Sequence, residues 1–200
     1  MKGIKLAWCV STIVALSGAF QAVNAAIPVP AGWYIEGNLG SSRVKDINYG
    51  TGTSYSNSGR ATNIDVGYKF IPYFAFEGGY TKYSDSRVAL AGTTIATDSR
   101  HAWDIAGKAI LPFSDSGFEL FVKLGLARTL SHLVNKPNTT GAPLPTTQGQ
   151  NKATGVYYGI GADYATTPQL PIILQWSRAK GDHYTGTQDL FSVGIAYIFT

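Results

Sequence analysis

The chain has 200 residues, with 16 lysines and arginines against 12 acidic residues, a formal net charge of +4 and a single cysteine. That length suits one domain, the charge is too slight to argue for nucleic acid, and one cysteine excludes an internal disulfide framework. At the N-terminus, Lys2 and Lys5 precede an apolar run from Leu6 to Phe20, and Val23-Asn24-Ala25 supplies the small residues a signal peptidase needs. Residues 1–25 therefore read as a secretory signal peptide, with cleavage expected after Ala25. The run is too short to be a membrane anchor. Cys9 leaves with this peptide, and Trp8 before it is too large for a lipoprotein processing site. The mature chain, 26–200, then has no cysteine for disulfides, thiol catalysis or metal binding. Its charge falls to 14 basic against 12 acidic residues, because the leader carries Lys2 and Lys5 and no acid.

Read with a period of two, the mature chain gives eight strands. Gly32 to Val44 sets Trp33, Ile35, Gly37 and Leu39 against Tyr34, Glu36, Asn38 and Gly40. About Thr62 to Phe70, Ile64, Val66, Tyr68 and Phe70 oppose Asn63, Asp65, Gly67 and Lys69. After Ile71-Pro72-Tyr73, Phe74, Phe76, Gly78 and Tyr80 oppose Glu77, Gly79 and Thr81. From about Ser99 to Leu111, Trp103, Ile105, Gly107, Ala109 and Leu111 face away from Asp104, Ala106 and Lys108. Beyond Pro112 to Gly117, the face of Phe118, Leu120, Val122, Leu124 and Leu126 backs onto Glu119, Phe121, Lys123 and Gly125. Val156, Tyr158, Ile160, Ala162 and Tyr164 then oppose Tyr157, Gly159, Gly161 and Asp163. Following Thr166 to Pro171, Ile172, Leu174 and Trp176 oppose Gln175 and Ser177. The last strand carries Phe191, Val193, Ile195, Tyr197 and Phe199 on its apolar face.

Alternation alone does not say which face is outside, since a lipocalin-like barrel shows the same period. Three features decide it. Connections two, four and six are short, while the odd ones are long and polar, as in membrane barrels. Aromatics collect at both strand ends: Trp33, Phe70, Tyr73, Phe74, Phe113, Phe118, Tyr164, Tyr197 and Phe199 beside the short turns, and Tyr80, Trp103, Tyr158, Trp176 and Phe191 toward the long loops. Two interfaces around a hydrocarbon band select such belts. The strand charges sit mid-segment on the non-apolar face, where a lipocalin needs apolar ligand contacts. Finally, Ser192, Gly194, Tyr197 and Phe199 form a polar-x-Gly-x-x-aromatic-x-aromatic pattern. It resembles the insertion signal that the barrel assembly machinery reads on Gram-negative outer-membrane barrels, with Thr200 as one extra residue.

With strands such as FAFEGGYTKY and GFELFVKLGLAR, the mature chain resembles the small eight-stranded outer-membrane barrels of the OmpA-like, opacity-type group. The resemblance implies an all-β fold, an eight-stranded antiparallel up-and-down transmembrane β-barrel at 26–200. Both termini would be periplasmic, four loops outside, and no further domain is expected after strand eight. It implies a non-enzymatic role in membrane integrity or cell-surface contact, with outer-membrane lipid, lipopolysaccharide and a host or surface ligand as partners and no cofactor.

The inward charges are Glu36, Asp65, Lys69, Glu77, Asp104, Lys108, Glu119, Lys123 and Asp163, six carboxylates against three lysines. Either they form a polar plug, with some acids protonated or near the ends, or the lumen is hydrated and a small, weakly cation-preferring porin results. By parity Arg43, Arg60, Lys82, Arg128 and Arg178 point outward above the hydrocarbon band, at the height of lipopolysaccharide phosphates. His101, His132 and His183 fall at long-loop ends without metal-ligand spacing. Outer-membrane lipid A deacylases carry His-x-Ser-Asn, but Ser131-His132-Leu133-Val134-Asn135 lacks the serine in that place, so a lipid-modifying enzyme is disfavoured. Loop one (Lys45 to Gly59) and loop three (Ser131 to Lys152) read as mobile and hydrated, Thr139 to Thr147 most of all. Asn138-Thr139-Thr140 fits a glycosylation acceptor but carries little weight in a bacterial setting. In loop two, Val88-Ala89-Leu90 and Thr93-Thr94-Ile95 are expected to extend strands three and four as a hairpin with adhesin-like exposed edges.

Overall fold

The computed structural model describes residues 29–47, 53–55, 57–90, 93–113, 116–135 and 149–199. The leader, Asn138 and the Thr139–Thr147 stretch fall outside these. Among the described residues ten strands are formed: β1 Gly32–Lys45, β2 Thr53–Tyr55, β3 Ser58–Ile71, β4 Phe74–Lys82, β5 Ser86–Leu90, β6 Thr93–Pro112, β7 Phe118–Asn135, β8 Gly149–Ala165, β9 Pro171–Ala179 and β10 Thr187–Phe199. Eight of them, in the order β1-β3-β4-β6-β7-β8-β9-β10, pair antiparallel with their neighbours. The Trp33↔Phe199 to Lys45↔Thr187 ladder closes the cylinder. Closure leaves none of these strands with a bare edge along the wall, which a hydrocarbon solvent requires of every backbone N–H and C=O.

The short connections are tight for local reasons. Pro72 and Tyr73 turn β3 into β4, with a register slip between Lys69 and Ile71. Phe113 N–H donates to Phe118 O at 2.9 Å between β6 and β7. Between β8 and β9, the Thr166 hydroxyl donates to Leu170 O at 2.6 Å.

The sheet runs further toward the long loops than alternation suggests. β6 begins at Thr93 rather than Ser99, β7 reaches Asn135 rather than ending near Leu126, and β8 begins at Gly149 rather than Val156. Residues 131–135 and 149–152, expected in mobile loop three, are therefore strand, with β7 and β8 paired here from Leu130↔Lys152 to Leu133↔Gly149. In loop one, Thr53–Tyr55 is not free chain but a strand against Val88–Leu90. The reason is physical. Beyond the hydrocarbon band the outer face meets water instead of lipid, so the apolar-out alternation that marks the strands is lost while the hydrogen-bond ladder continues. The expected loop-two hairpin is present as β5 against β6, with a bulge between Val88 and Ala89.

Inside, apolar layers close a polar middle. Val29, Tyr34, Ile110, Phe121, Ile173 and Ile198 pack at the short-turn end. Ala61, Tyr83, Ala102 and Leu190 pack toward the other end. Glycines make the fit: a Cβ on Gly67 would lie 2.4 Å from the Tyr34 ring, and one on Gly161 would lie 2.4 Å from the Phe121 ring. These inward glycines let two large rings lie flat against the wall, as a narrow barrel interior needs.

Candidate functional site: a filled lumen and a basic outer rim

All nine inward charges are buried. They fall into two groups. Near the short turns, Lys69 donates to Glu119 at 2.8 and 2.9 Å and to the Val29 carbonyl at 3.2 Å, so the start of the described chain is tied across the mouth. Lys108 lies 3.8 Å from Asp163 and 3.9 Å above the Phe121 ring. A small cavity of about 30 Å³ lies among these groups, lined also by Glu36 and Tyr34, with room for water-sized guests only. In the middle, Lys123 sits 2.6 Å from Glu77, 3.3 Å from Asp65 and 3.9 Å from Glu36. Its side chain is 0% exposed, so this ammonium is neutralised by its carboxylates rather than by solvent.

Neutral groups, which the charge pattern of the sequence does not mark, complete the network. Tyr34 donates its hydroxyl to Glu77 at 2.9 Å. Asn38 bridges Glu36 and Asn63 at 2.7 and 2.6 Å, Asn63 donates to Asp65 and Thr81, and Gln175 donates to Glu36 at 3.1 Å. Parity was the available signal, since each lies on the strand face that carries the charges. A second buried knot sits above: Arg100 pairs with Asp98 and donates to Ser86 at 2.7 Å, while Ser131 donates to Asp98 at 2.6 Å. It went unseen because Asp98 lies before the expected start of its strand.

The outer surface is the reverse. Leu124 is 67% exposed, Leu39 66% and Ile64 53%, with Ile105, Val122, Ile160 and Val193 alike on the outside. Trp33 meets Tyr68 edge-on at 5.1 Å at one end of this band, and Tyr80 meets Trp103 at 4.7 Å at the other. Apolar surface on this scale, ringed by aromatics, belongs in lipid.

A family profile described as the outer membrane protein beta-barrel domain matches residues 12–199. The chain belongs to this family. Its compartment is accordingly a Gram-negative outer membrane. The chain is also similar to an uncharacterised protein of Coxiella burnetii, 24% identical over 214 aligned positions that cover 84% of this chain and 86% of the relative. Among solved structures, Ail of Yersinia pestis, bound to the heparin analogue sucrose octasulfate, superposes with a TM-score of 0.55 at 16% identity, over 84% of this chain and 99% of Ail. Neisserial surface protein A gives 0.54 at 18%, over 85% and 99%. OprG of Pseudomonas aeruginosa gives 0.57 at 12%, over 88% and 99%. At these identities the likeness is one of fold.

On this outer-membrane barrel the five basic rim residues all point outward. Arg43, Arg60 and Arg128 are exposed. Lys82 is drawn to Asp85 at 3.0 Å and to the Ser99 hydroxyl. Arg178 is held by Asp189 at 2.5 and 2.9 Å, with Lys45 2.9 Å from the same carboxylate. The histidines are scattered: His101 opposite Lys82, His132 opposite Ser99 and His183 in the β9–β10 turn. In the last strand Ser192 is buried, Tyr197 and Phe199 face out with rings 5.1 Å apart, and a Cβ on Gly194 would strike Asn38. In the β9–β10 turn, partial burial raises the Asp182 carboxyl, but N–H donation from Thr185 at 2.9 Å and Tyr184 at 3.0 Å outweighs it and holds the group below the usual carboxylate range.

Proposed function

We propose that this is a closed, non-enzymatic barrel, exported by a cleaved signal peptide over residues 1–25, that serves membrane integrity and cell-surface contact. The observation that carries this reading is the lumen. Lys123 is wholly buried among carboxylates, and apolar layers lie on either side of it along the axis. Conduction needs hydrated space, and this interior is occupied by side chains. The working surface is then outside, where β5, the upper parts of β6 and β7, and β2 stand beyond the lipid band. Its natural lipid partner is lipopolysaccharide. Arg43, Arg60 and Arg128 offer guanidinium forks to its phosphates, and Arg60 with Lys82 lines an outer groove of about 440 Å³. Arg178, bound to Asp189, has less to offer.

A catalytic reading has less support. The hydroxyl opposite His132, on Ser99, accepts a hydrogen bond from the Lys82 ammonium, and a donor there lowers nucleophilicity. Planar-bilayer recording tests the plug: silence is expected, and a steady conductance altered by Lys69→Ala or Lys123→Met would establish a porin instead. For the rim, replacing Arg43, Arg60 and Arg128 together with Gln is expected to lower thermal stability in lipopolysaccharide-containing bilayers and leave it unchanged in phospholipid. Equal behaviour in both would remove lipopolysaccharide as the partner.

A further inference from the structure

The middle of the lumen holds more acid than base. Glu36, Asp65, Glu77 and Asp104 share that layer with one lysine, Lys123, while Lys69 and Lys108 are turned toward Glu119 and Asp163 near the short turns. Four carboxylates against one ammonium leave three negative charges. Lys123 donates to Asp65 and is ion-paired with Glu77, and its 3.9 Å separation from Glu36 is beyond hydrogen-bond reach. Glu36 is held by amides instead. The Asn38 and Gln175 NH₂ groups both donate to its Oε1, which fixes the nitrogen of each amide on that oxygen and leaves the carbonyl oxygen of each without a donor.

Besides Glu77 Oε1 and Asp104 Oδ1, three oxygens around Glu36 are left over in this layer: Glu36 Oε2, Asn38 Oδ1 and Gln175 Oε1. Each is buried and has no hydrogen-bond partner among the described residues. Both carbonyl oxygens are one amide width from donors seated on the same Glu36 oxygen. A fourth, Ser192 Oγ, is equally buried and unpartnered, on the residue directly across from Gln175. Gly194 makes the arrangement fit, because a Cβ there would fall 2.0 Å from Asn38 Oδ1. These four groups are a carboxylate, two amide carbonyls and a hydroxyl. We propose that this oxygen set, from Glu36, Asn38, Gln175 and Ser192, binds a calcium ion within the barrel.

The chemistry favours that guest. Calcium takes carboxylate, amide carbonyl and hydroxyl or water oxygens in flexible geometry, whereas magnesium demands a near-ideal octahedron and keeps its waters. Its two charges offset two of the three that Lys123 leaves uncompensated. A proton on Glu36 supplies one donor and a water supplies two, so neither serves all four oxygens. Lys108, the other ammonium near Glu36, is directed to Asp163 and the Phe121 ring.

The test is to refold the full chain into detergent with excess calcium, remove free ion by gel filtration, and count bound metal by mass spectrometry. About one calcium per chain is expected, with calcium-dependent thermal stability, and terbium as a stand-in should luminesce on excitation of tyrosine. Glu36→Gln should lose the retained ion while keeping heat-modifiable mobility on gels. Ser192→Ala, which leaves every charge in place, should weaken retention and covers the case in which Glu36→Gln fails to fold. No retained calcium in the unmodified chain overturns the proposal. So does equal retention in both variants, which would place the ion at surface carboxylates, or a metal-free protein with a protonated-carboxyl infrared band that Glu36→Gln abolishes.

Discussion

The barrel within the lipid band and the part of the same sheet that stands beyond it solve opposite problems with one backbone. Within the band, Ile64, Val122, Leu124 and Ile160 face out, and Asp65, Glu77 and Lys123 face in. Beyond it, Val88, Ile95, Ala96 and Leu133 form a buried apolar cluster in the ordinary sense. β6 belongs to both regions and changes from one rule to the other along its length. The solvent outside the wall decides which residues go inside. A hydrocarbon surround accepts leucine without cost and rejects charge, while water does the reverse.

The contrast can be broken from either side. The largest effect is expected at Lys123→Met, which leaves Glu36, Asp65 and Glu77 buried without their ammonium. Loss of one partner from a buried ionic cluster costs about 3–5 kcal/mol, measurable as a lower urea midpoint for unfolding from lipid vesicles. Leu124→Lys comes next. At an exposed position in water such a change is close to neutral, but on a lipid face near the midplane it costs about 2–4 kcal/mol. A neutral result in vesicles would refute the inversion itself. Leu133→Ala removes part of the cluster beyond the band and should cost about 2 kcal/mol locally. Amide exchange in β5 and the upper part of β6 should quicken while the vesicle unfolding midpoint stays put. The smallest effect concerns pH. Because the Asp182 carboxyl is held below its ordinary range, its contribution to the β9–β10 turn is present at neutral pH and lost only as pH falls through that lowered value. The Thr185 and Tyr184 amides should stay protected until the pH falls below the ordinary aspartate range, and should lose that protection at neutral pH in Asp182→Ala, which removes the acceptor oxygen.

How much of this is legible in the sequence follows from the same contrast. Where lipid meets the wall, neighbours such as Ile64 and Asp65, or Leu124 and Lys123, alternate so sharply that strand, face and register can be read directly. The lumen charges follow from that parity. Asn38, Asn63 and Gln175 share the face but, being neutral, do not announce a network; what matters is which carboxylate each amide finds across strands distant in sequence. Past the band, Asp98, Ser99, Arg100 and His101 are all polar, so alternation gives no signal. The Arg100–Asp98 knot and β2 exist through pairings between separate segments, which a linear pattern does not contain.

The length of β6 has a mechanical corollary. A tug on the surface hairpin is delivered along the axis of a strand bonded to β7 from Ala96↔Asn135 down to Pro112↔Glu119. That ladder would be loaded in shear, all its rungs together, whereas among the described residues β2 holds β5 by the short patch from Thr53↔Leu90 to Tyr55↔Val88. Under traction the outermost ribbon should peel first and the root should hold.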